Sequence, residues 1–442
     1  MMPTGTEGPR VLIVAENASA LFGGEAALPL HHFRVLLRRG VPVWLLTHAR
    51  VRDELLQRFP DATERMHFIE DSEFHRRMWR WGSRLPARLD YLTTGFVSRL
   101  STQRAQRRLA RSLIARHGIQ VVHLPTPVSP REPSALYGLG VPVVIGPMNG
   151  GMEYPPGFRS ARGRWVSQMA DLGRLAAGLM NRLWPGKPRA AALLVANERT
   201  RRALPLGLGA RAELLVENGV DLSLWWAPPD QAAGEAADVP RFAFMGRLVD
   251  WKAVDLLLQA FDTAASSAPM SLTIIGDGPE GPRLRELARA QGRLADAPGG
   301  AGQVYFAGWK PQVESAEMLR HSQALVLPSL WECGGAVVLE AMACGLPVLA
   351  TAWGGPLDYL DEQCGLLVAP ASPQALVDGL AQGLTRLATD PPLRQRLGAA
   401  GRERVVQEFD WEIKADRMLG LYAALLAGTQ SARPSPVPPA TA

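Results

Sequence analysis

Two acids and two cations in the second half of the sequence have the types and the spacing of a ligand site. Glu332 and Glu340 lie eight residues apart and would contact different parts of a ligand. Arg247 and Lys252 follow Gly246 at the end of a predicted strand. Arginine offers a planar fork of donors and lysine a point charge, so the two suit a diphosphate and the negative charge that builds on it as it leaves. The alternatives are solvated glutamates and cations that cap a helix.

A glycine loop between two apolar runs would position the two acids. The runs QALVLP and GLPVLAT have the continuous apolar character of buried parallel strands, and AVVLEAMA between them is a good helix former. Glu332 precedes this helix, and Glu340 is predicted about two turns inside it. A helix that begins at a glycine-rich loop presents free N–H groups and a positive dipole end, which together hold a phosphate. The residues predicted to form this helix tip are Gly334, Gly335, Ala336, Val337 and Val338.

The pattern around these acids resembles that of a known family. E-x7-E followed by AMA-x-G-x-P-V is similar to the retaining GT-B glycosyltransferases of family 4 (group 1), which use nucleotide sugars. The resemblance implies that Glu332 contacts hydroxyl groups of the donor sugar and that Glu340 binds the ribose. It also implies transfer with retention of anomeric configuration and without a metal, and the chain contains no D-x-D triplet. No cofactor is expected besides the nucleotide-sugar substrate.

Three residues depart from the pattern of that group. Cys333 begins the triplet that the group typically writes G-F-G, and Asp358 stands where Glu is common. Both lie beside the expected donor sugar, so the identity of the donor stays open. Ala253 replaces the glycine that usually follows Lys252, a change expected to cost little.

The resemblance implies further contacts in four loops. Gly308, Trp309 and Lys310 would hold the nucleotide base through their backbone, and Gly23 and Gly24 would approach the donor diphosphate or the acceptor, unless they form only a tight turn.

His123 lies at the end of a predicted strand, where the family's histidine contacts the donor sugar or the acceptor; the alternative is a structural histidine. The Gly- and Pro-rich loop at 146–157 offers candidate acceptor contacts. These are Asn149, Gly150, Gly151 and Glu153.

A glycine motif elsewhere points falsely to a dehydrogenase. Gly276, Gly278 and Gly281 have the spacing of the dinucleotide-binding fingerprint, after a predicted strand and before a helix. That fingerprint also requires an acid at the end of the next strand. The next strand, QVYFAGWK, ends on glycine, tryptophan and lysine, so the motif fails its own test.

Length and composition predict a two-domain α/β protein. With 442 residues the chain exceeds one core, and with 47% hydrophobic and 20% charged residues it is ordinary globular material. The family resemblance implies the GT-B fold, with two Rossmann-like doubly wound domains that face each other across a cleft. The predicted acceptor domain covers 1–218 and the donor domain 219–409. A C-terminal helix at 410–427 would cross back to the first domain, and 428–442 would be a disordered tail.

A basic stretch at 74–116 suggests a second kind of partner. It is dense in arginine, and Trp79, Trp81, Tyr91 and Phe96 are interleaved with the cations. Such a stretch would lie on an anionic lipid surface, hold a phosphate-bearing acceptor, or form a solvated helical face whose aromatics pack inward. No nucleic-acid-binding module accompanies the net charge of +6. Three cysteines and no long apolar run predict a cytoplasmic protein, peripheral at most on the membrane.

The sequence therefore predicts an enzyme that moves a sugar from a nucleotide-diphosphate sugar to a glycan or lipid-linked acceptor. Arg247, Lys252, Glu332 and His123 are its predicted catalytic groups. Two alternatives stay open: a sugar phosphorylase or epimerase of the same fold, and a non-catalytic protein for assembly or membrane recruitment.

Overall fold

The chain folds into two compact units, each built on one seven-stranded parallel sheet. The structure is a computed structural model. It describes residues 8–84, 93–158, 177–205, 207–227 and 239–431. The first unit comprises Met1–Gly151, Gln168–Glu217 and Lys414–Ala442. The second unit comprises Met152–Ser167 and Asn218–Ile413.

The sheet of the first unit has the strand order β3-β2-β1-β4-β5-β6-β7. Its strands are β1 (Val11–Val14), β2 (Val43–His48), β3 (Met66–Ile69), β4 (Val121–Leu124), β5 (Val143–Met148), β6 (Ala192–Val195) and β7 (Ala212–Leu214). The α-helices are α1 (Gly24–Arg38), α2 (Arg52–Arg58), α3 (Glu73–Gly82), α4 (Thr94–His117) and α5 (Glu198–Ala203). Strand order reverses between β1 and β4, the kind of position where open α/β sheets bind ligands.

The sheet of the second unit has the order β10-β11-β9-β8-β12-β13-β14, with its reversal between β8 and β12. Its strands are β8 (Arg241–Met245), β9 (Ser271–Ile275), β10 (Leu294–Ala295), β11 (Val304–Gly308), β12 (Ala324–Leu327), β13 (Val348–Thr351) and β14 (Gly365–Val368). Its helices are α6 (Val254–Ala265), α7 (Gly281–Ala290), α8 (Gln312–Arg320), α9 (Ala336–Ala343), α10 (Pro356–Tyr359), α11 (Pro373–Thr389) and α12 (Pro391–Arg404).

The strands are short apolar runs because helices cover the sheets on both faces. β1, β4, β12 and β13 are buried at every position, as central strands of a parallel α/β sheet are. An alternating pattern would have left one face of these strands polar. The predicted doubly wound α/β architecture is therefore present in both units.

The last helix, α13 (Trp411–Ser431), returns the chain to the first unit. Met418 and Tyr422 are buried in the core around β1 and β2. The helix runs past the predicted limit of 427, so residues 428–431 are helical rather than part of a disordered tail. Residues 432–442 lie outside the described part of the chain.

The division into units differs from the predicted domains in one segment. Glu217 and Asn218 divide the chain one residue from the predicted boundary at 218/219. Met152–Ser167, however, groups with the second unit although it follows β5 of the first. Its described part contacts the loops of the second unit in detail, as shown below.

Candidate active site

The predicted helix tip is formed by α9, whose first residue follows Gly335. Gly335 has a φ of 77°, and a Cβ there would lie 2.9 Å from Cγ of Glu332, so both conformation and space require glycine. Among the described residues, no side chain makes a capping hydrogen bond at this end of the helix. The N–H groups of Ala336 and Val337 thus begin α9 without a side-chain acceptor, as a phosphate site requires.

Glu332 and Lys252 form an ion pair in this loop region. The two residues are 80 positions apart in sequence, and each side chain is 14% exposed. The structure therefore brings a predicted sugar-binding acid and a predicted phosphate-binding cation together. The backbone of Glu332 is fixed as well, because its carbonyl oxygen accepts the N–H of Gly355 at 2.7 Å.

Glu340 lies deeper in α9 than Glu332, but less deep than predicted. It is the fifth residue of a helix that starts at Ala336, so it lies little more than one turn inside rather than two. The side chain keeps some contact with solvent but is surrounded by protein atoms. This burial raises the pKa of its carboxyl to about 7. Hydrogen bonds from hydroxyl groups of a ligand would stabilise the charged form of this carboxyl.

The loop after β8 places the two predicted phosphate-binding cations at the reversal point of the sheet. Gly246 ends the strand, and a Cβ on it would lie 3.8 Å from Nζ of Lys252. Arg247 is exposed. β8 and β12 are neighbours, so Lys252 after one strand and Glu332 after the other meet at the same edge.

The false dinucleotide motif has a packing role in this loop. A Cβ on Gly276 would lie 2.0 Å from the carbonyl oxygen of Gly246, and one on Gly278 would lie 2.3 Å from that of Leu248. The glycines after β9 thus let two backbones approach closely. They support the loop that carries Arg247 and Lys252.

Ala253 carries a conformational cost that the sequence did not reveal. It is the one non-glycine residue in the described ranges with positive φ, at φ 50° and ψ 37°. Left-handed backbone costs an ordinary L-residue about 1–2 kcal/mol. The expectation that replacing glycine here costs little therefore neglected the backbone.

The predicted base-binding loop follows β11 in the same sheet. The carbonyl oxygen of Gly308 accepts the N–H of Gly276 at 2.8 Å. This hydrogen bond joins the predicted base-binding loop to the loop after β9. Trp309 is 65% exposed. Lys310 forms an ion pair with Glu314 at 3.3 Å. The loop thus offers an exposed indole and a tethered cation.

Gly23 and Gly24 lie in the first unit, apart from the residues above in the division of the chain. They begin α1 and are exposed, with no atom within 4 Å of where a Cβ would stand. Their predicted contact with the donor or acceptor stays a prediction.

The structure does not support a substrate contact for His123. Its side chain is 0% exposed, and both ring nitrogens are engaged within the first unit. Nε2–H donates to the carbonyl of Gly146 at 2.7 Å, and Nδ1 accepts the hydroxyl of Tyr422 at 2.7 Å. Burial lowers the pKa of His123 to about 4, so the ring is neutral at pH 7. The alternative, a structural histidine, fits these contacts.

The predicted acceptor loop after β5 also has structural roles. Asn149 is buried, and its amide donates to Glu217 at 2.8 Å. Gly150 packs on Pro130, and Gly151 on Ala203. These three residues are therefore committed to the packing of the first unit.

A segment that sequence reasoning assigned to the acceptor side lies instead against the loops that carry Trp331 and Trp353 in the second unit. The carbonyl of Glu153 accepts Nε1–H of Trp353 at 2.8 Å, and the ring of Tyr154 lies 5.0 Å from that of Trp331. Trp331 directly precedes Glu332. The isolated aromatics Tyr154, Trp331 and Trp353 were the signal for this contact, but nothing in their spacing pairs them.

Three further properties of the described residues bear on function: metal binding, cysteine pairing and membrane insertion. No cluster of three or more His, Cys, Asp or Glu side chains there is arranged to hold a metal ion. Cys333, Cys344 and Cys364 form no disulfide within these residues. Among the helices of these residues, none combines the length and the apolar character of a membrane span. Metal-independent transfer remains a prediction.

A family model and several curated proteins match the part of the chain that contains this site. Residues 230–404 match the model of the family described as Glycosyl transferases group 1. D-inositol 3-phosphate glycosyltransferase of Kribbella flavida is 36% identical over 219 residues, 47% of this chain and 50% of that protein. Alpha-maltose-1-phosphate synthase of Mycolicibacterium smegmatis is 32% identical over 224 residues, 48% of this chain and 57% of that protein. The match thus spans about half the length of these curated relatives.

Solved structures resemble nearly the whole chain. HepE of Anabaena, crystallised with UDP and glucose, has a TM-score of 0.60 at 16% identity and covers 96% of this chain and 99% of its own. Sucrose-phosphate synthase of Thermosynechococcus elongatus has a TM-score of 0.62 at 20% identity and covers 95% and 100%. At these identities the likeness shows the fold alone, and the predicted pair of Rossmann-like domains of the GT-B fold is confirmed.

Proposed function

We propose that this chain, whose residues 230–404 form a group 1 glycosyltransferase domain, transfers a sugar from a nucleotide-sugar donor to an acceptor. The carrying observation is the cluster of Lys252, Glu332 and the uncapped tip of α9 at the reversal point of the second sheet. Of the two curated relatives described above, one is named as a glycosyltransferase and the other as a synthase of a sugar phosphate. A non-catalytic protein would have no reason to keep this cluster.

The cluster suits a donor in which a diphosphate departs from a sugar. The N–H groups at the start of α9, with Lys252 and Arg247, would stabilise negative charge on the departing phosphates. Glu332 would accept hydroxyl groups of the sugar, and Glu340 those of the ribose. Because Lys252 pairs with Glu332, binding of the diphosphate would compete for the ammonium and free the carboxylate for the sugar.

Several finer features belong to the same proposal. Transfer proceeds with retention and without a metal, and the acceptor is a glycan or a lipid-linked molecule. The protein works in the cytoplasm, where cysteines outside disulfides would stay reduced. Peripheral attachment to an anionic membrane is supported by α3, on which Phe74 is 42% and Trp81 64% exposed beside arginines. Of the basic stretch, Tyr91 and the side chain of Trp79 lie outside the described residues.

The experiment combines nucleotide binding with two substitutions. UDP, GDP and ADP are titrated separately by thermal shift, and one of them is expected to raise the melting temperature of the protein. Glu340→Ala is expected to weaken binding of that nucleotide about tenfold or more, because a charged hydrogen-bond partner is lost. Arg247→Ala is expected chiefly to lower the turnover of bound donor sugar.

Two results would count against this division of roles. If no nucleotide shifts the melting temperature at concentrations far above a micromolar Kd, the glycosyltransferase proposal fails. If both variants lose donor binding equally and turn over bound donor at the original rate, the roles of Glu340 and Arg247 are wrong.

A further inference from the structure

The first unit contains a cavity of about 1200 Å³ at the carboxyl ends of β1 and β4. Val14 and Leu124, the last residues of these strands, both line it. This is the reversal point of the first sheet, where open α/β sheets bind ligands. Pockets for drug-sized ligands measure roughly 300–1,000 Å³. The cavity therefore has room for more than one sugar ring.

Carboxylates line one part of the cavity. Glu16 follows β1, Glu25 lies in the first turn of α1, and Glu132 lies on the loop after β4. Glu132 is neutralised by Arg99 at 2.8 Å, and Glu25 accepts the N–H of Val128 at 3.1 Å. Surrounding protein atoms remove water from both carboxylates and so raise the pKa of Glu16 and that of Glu25, although the surface of Glu25 still reaches solvent. Carboxylates held in this way gain from hydroxyl groups of a ligand as donors.

Arginines of α3 also line the cavity, beside the carboxylates of Asp71 and Glu73. Arg76, Arg77 and Arg80 all border it. Within the described part of the chain, Arg76 donates to the carbonyl of Asp71 at 3.3 Å, and Arg77 lies 3.9 Å from Glu73. Arg76 and Arg80 are four residues apart, so their side chains share one face of the helix. These cations are thus far less neutralised than Arg99.

A buried histidine holds α3 in this position. His75 is 6% exposed and lines the cavity beside Arg76. Its Nδ1 lies 2.8 Å from Oγ of Ser72, and its Nε2 lies 3.1 Å from Oγ1 of Thr102 on α4. The arginines therefore stand on a helix anchored to its neighbour, which keeps them at the cavity.

We propose that this cavity binds the acceptor of the sugar transfer and that the acceptor carries a phosphate group. Arg76 and Arg80 bind the phosphate, since a guanidinium forks onto phosphate oxygens. Glu16 and Glu25 accept hydrogen bonds from hydroxyl groups of the same molecule. The acceptor role depends on the proposed function, whereas the phosphate specificity of the cavity depends on these residues alone.

An uncharged glycan is a poorer fit to the cavity. Its hydroxyl groups would satisfy the carboxylates, but an uncharged ligand would offer Arg76 and Arg80 no negative charge to bind. A solvated helical face explains exposed arginines, but not arginines that border a cavity at the reversal point of the sheet. A tetrahedral phosphate presents several oxygens, so two guanidinium groups can each donate a pair of N–H groups to it.

Isothermal titration calorimetry of the full chain tests the specificity. The probes are glucose 6-phosphate and glycerol 3-phosphate, with glucose and glycerol as uncharged counterparts. At least one phosphate probe is expected to bind about tenfold or more tightly than its counterpart. The double variant Arg76→Gln/Arg80→Gln is expected to lose this preference. Arg108→Gln, an exposed arginine on α4 away from the cavity, removes one charge as a control and is expected to keep it.

Vesicles distinguish a free phosphate ester from a lipid headgroup. Phosphatidylglycerol vesicles that bind the protein but not the double variant, with no response to the small probes, assign the phosphate to a lipid-linked acceptor. The proposal is overturned if neither small probe nor vesicle binds. It is also overturned if glucose binds as tightly as its phosphate, or if Arg108→Gln weakens binding as much as the double variant does.

The nucleotide titration on the same variants separates this inference from the proposed function. The double variant is expected to bind the preferred nucleotide like the unmodified protein, because the donor residues lie in the second unit. If no variant binds a nucleotide while phosphate specificity is kept, the cavity assignment stands and the glycosyltransferase proposal fails.

Discussion

Glu340 is a carboxyl group whose ionisation opposes folding. Burial holds its pKa near 7, whereas an unfolded glutamate has a pKa near 4.5. Between these values the folded state keeps a proton that the unfolded state has lost. Stability contributed by this group is therefore present below pH 4.5 and is lost as the pH rises to 7. A bound ribose would offset this loss by donating hydrogen bonds to the carboxylate.

Glu340→Gln is expected to remove this pH dependence, because an amide does not ionise. At pH 8 the variant should have a free energy of unfolding roughly 2–4 kcal/mol above that of the unmodified protein, and near pH 4.5 the two should agree. Urea denaturation at several pH values measures this difference. Glu286→Gln is a control, since that side chain is 68% exposed and pairs with Arg289. An unchanged pH slope in Glu340→Gln would contradict the burial of this carboxyl.

At the level of single residues, sequence reasoning selected candidate groups by type and position but did not show which of them meet. Glu332 and Lys252 were both selected by type and position, but their ion pair depends on β8 and β12 being neighbours. His123 was selected by its place at a strand end. The same place allowed it to be buried under Tyr422, because side chains alternate between the faces of a strand and only some point toward a ligand.

At the level of elements, the apolar runs predicted the strands and the glycines predicted the loops. Gly276 and Gly278 were correctly rejected as a dinucleotide fingerprint, but their packing role needed the structure. The carbonyls that they approach belong to the neighbouring loop, which is about 30 residues away in sequence. Contacts of this kind leave no local pattern, so the sequence alone does not show them.

Gly278→Ala is expected to disturb the loop after β8, which carries Arg247 and Lys252. The added Cβ would lie 2.3 Å from the carbonyl oxygen of Leu248, and backbone atoms there move only together with the loop. We expect a loss of about 1–3 kcal/mol in unfolding free energy and weaker nucleotide binding. Gly420→Ala is the matched control, because its Cβ meets no atom within 4 Å in the middle of α13. That variant should be equally or more stable. Equal effects in both would refute the close-approach explanation.

At the level of the whole molecule, two units followed from chain length and from the order of strands and helices, and the returning last helix from the family resemblance. The membership of Met152–Ser167 in the second unit did not, because the segment follows β5 directly and carries no linker composition. Its tie to the second unit is the hydrogen bond from Trp353 to Glu153 and the ring contact of Tyr154 with Trp331. The first contact joins residues 200 positions apart in sequence, and the second joins residues 177 apart.

The division into units predicts that a defect in the core of the first will leave the donor site intact. Tyr422, at 0% exposed, anchors α13 in that core through its hydroxyl group, which donates to Nδ1 of His123. Tyr422→Phe keeps the ring but leaves a buried acceptor unpaired, so the unfolding free energy should fall by about 1–3 kcal/mol. Nucleotide affinity should change less than about twofold, because the predicted nucleotide-binding residues belong to the other unit and substitutions at independent sites have nearly additive effects. Urea denaturation and calorimetric titration measure the two quantities on one preparation. An unchanged free energy of unfolding would show that α13 does not depend on this hydrogen bond. A large loss of nucleotide affinity would show that nucleotide binding depends on the core of the first unit.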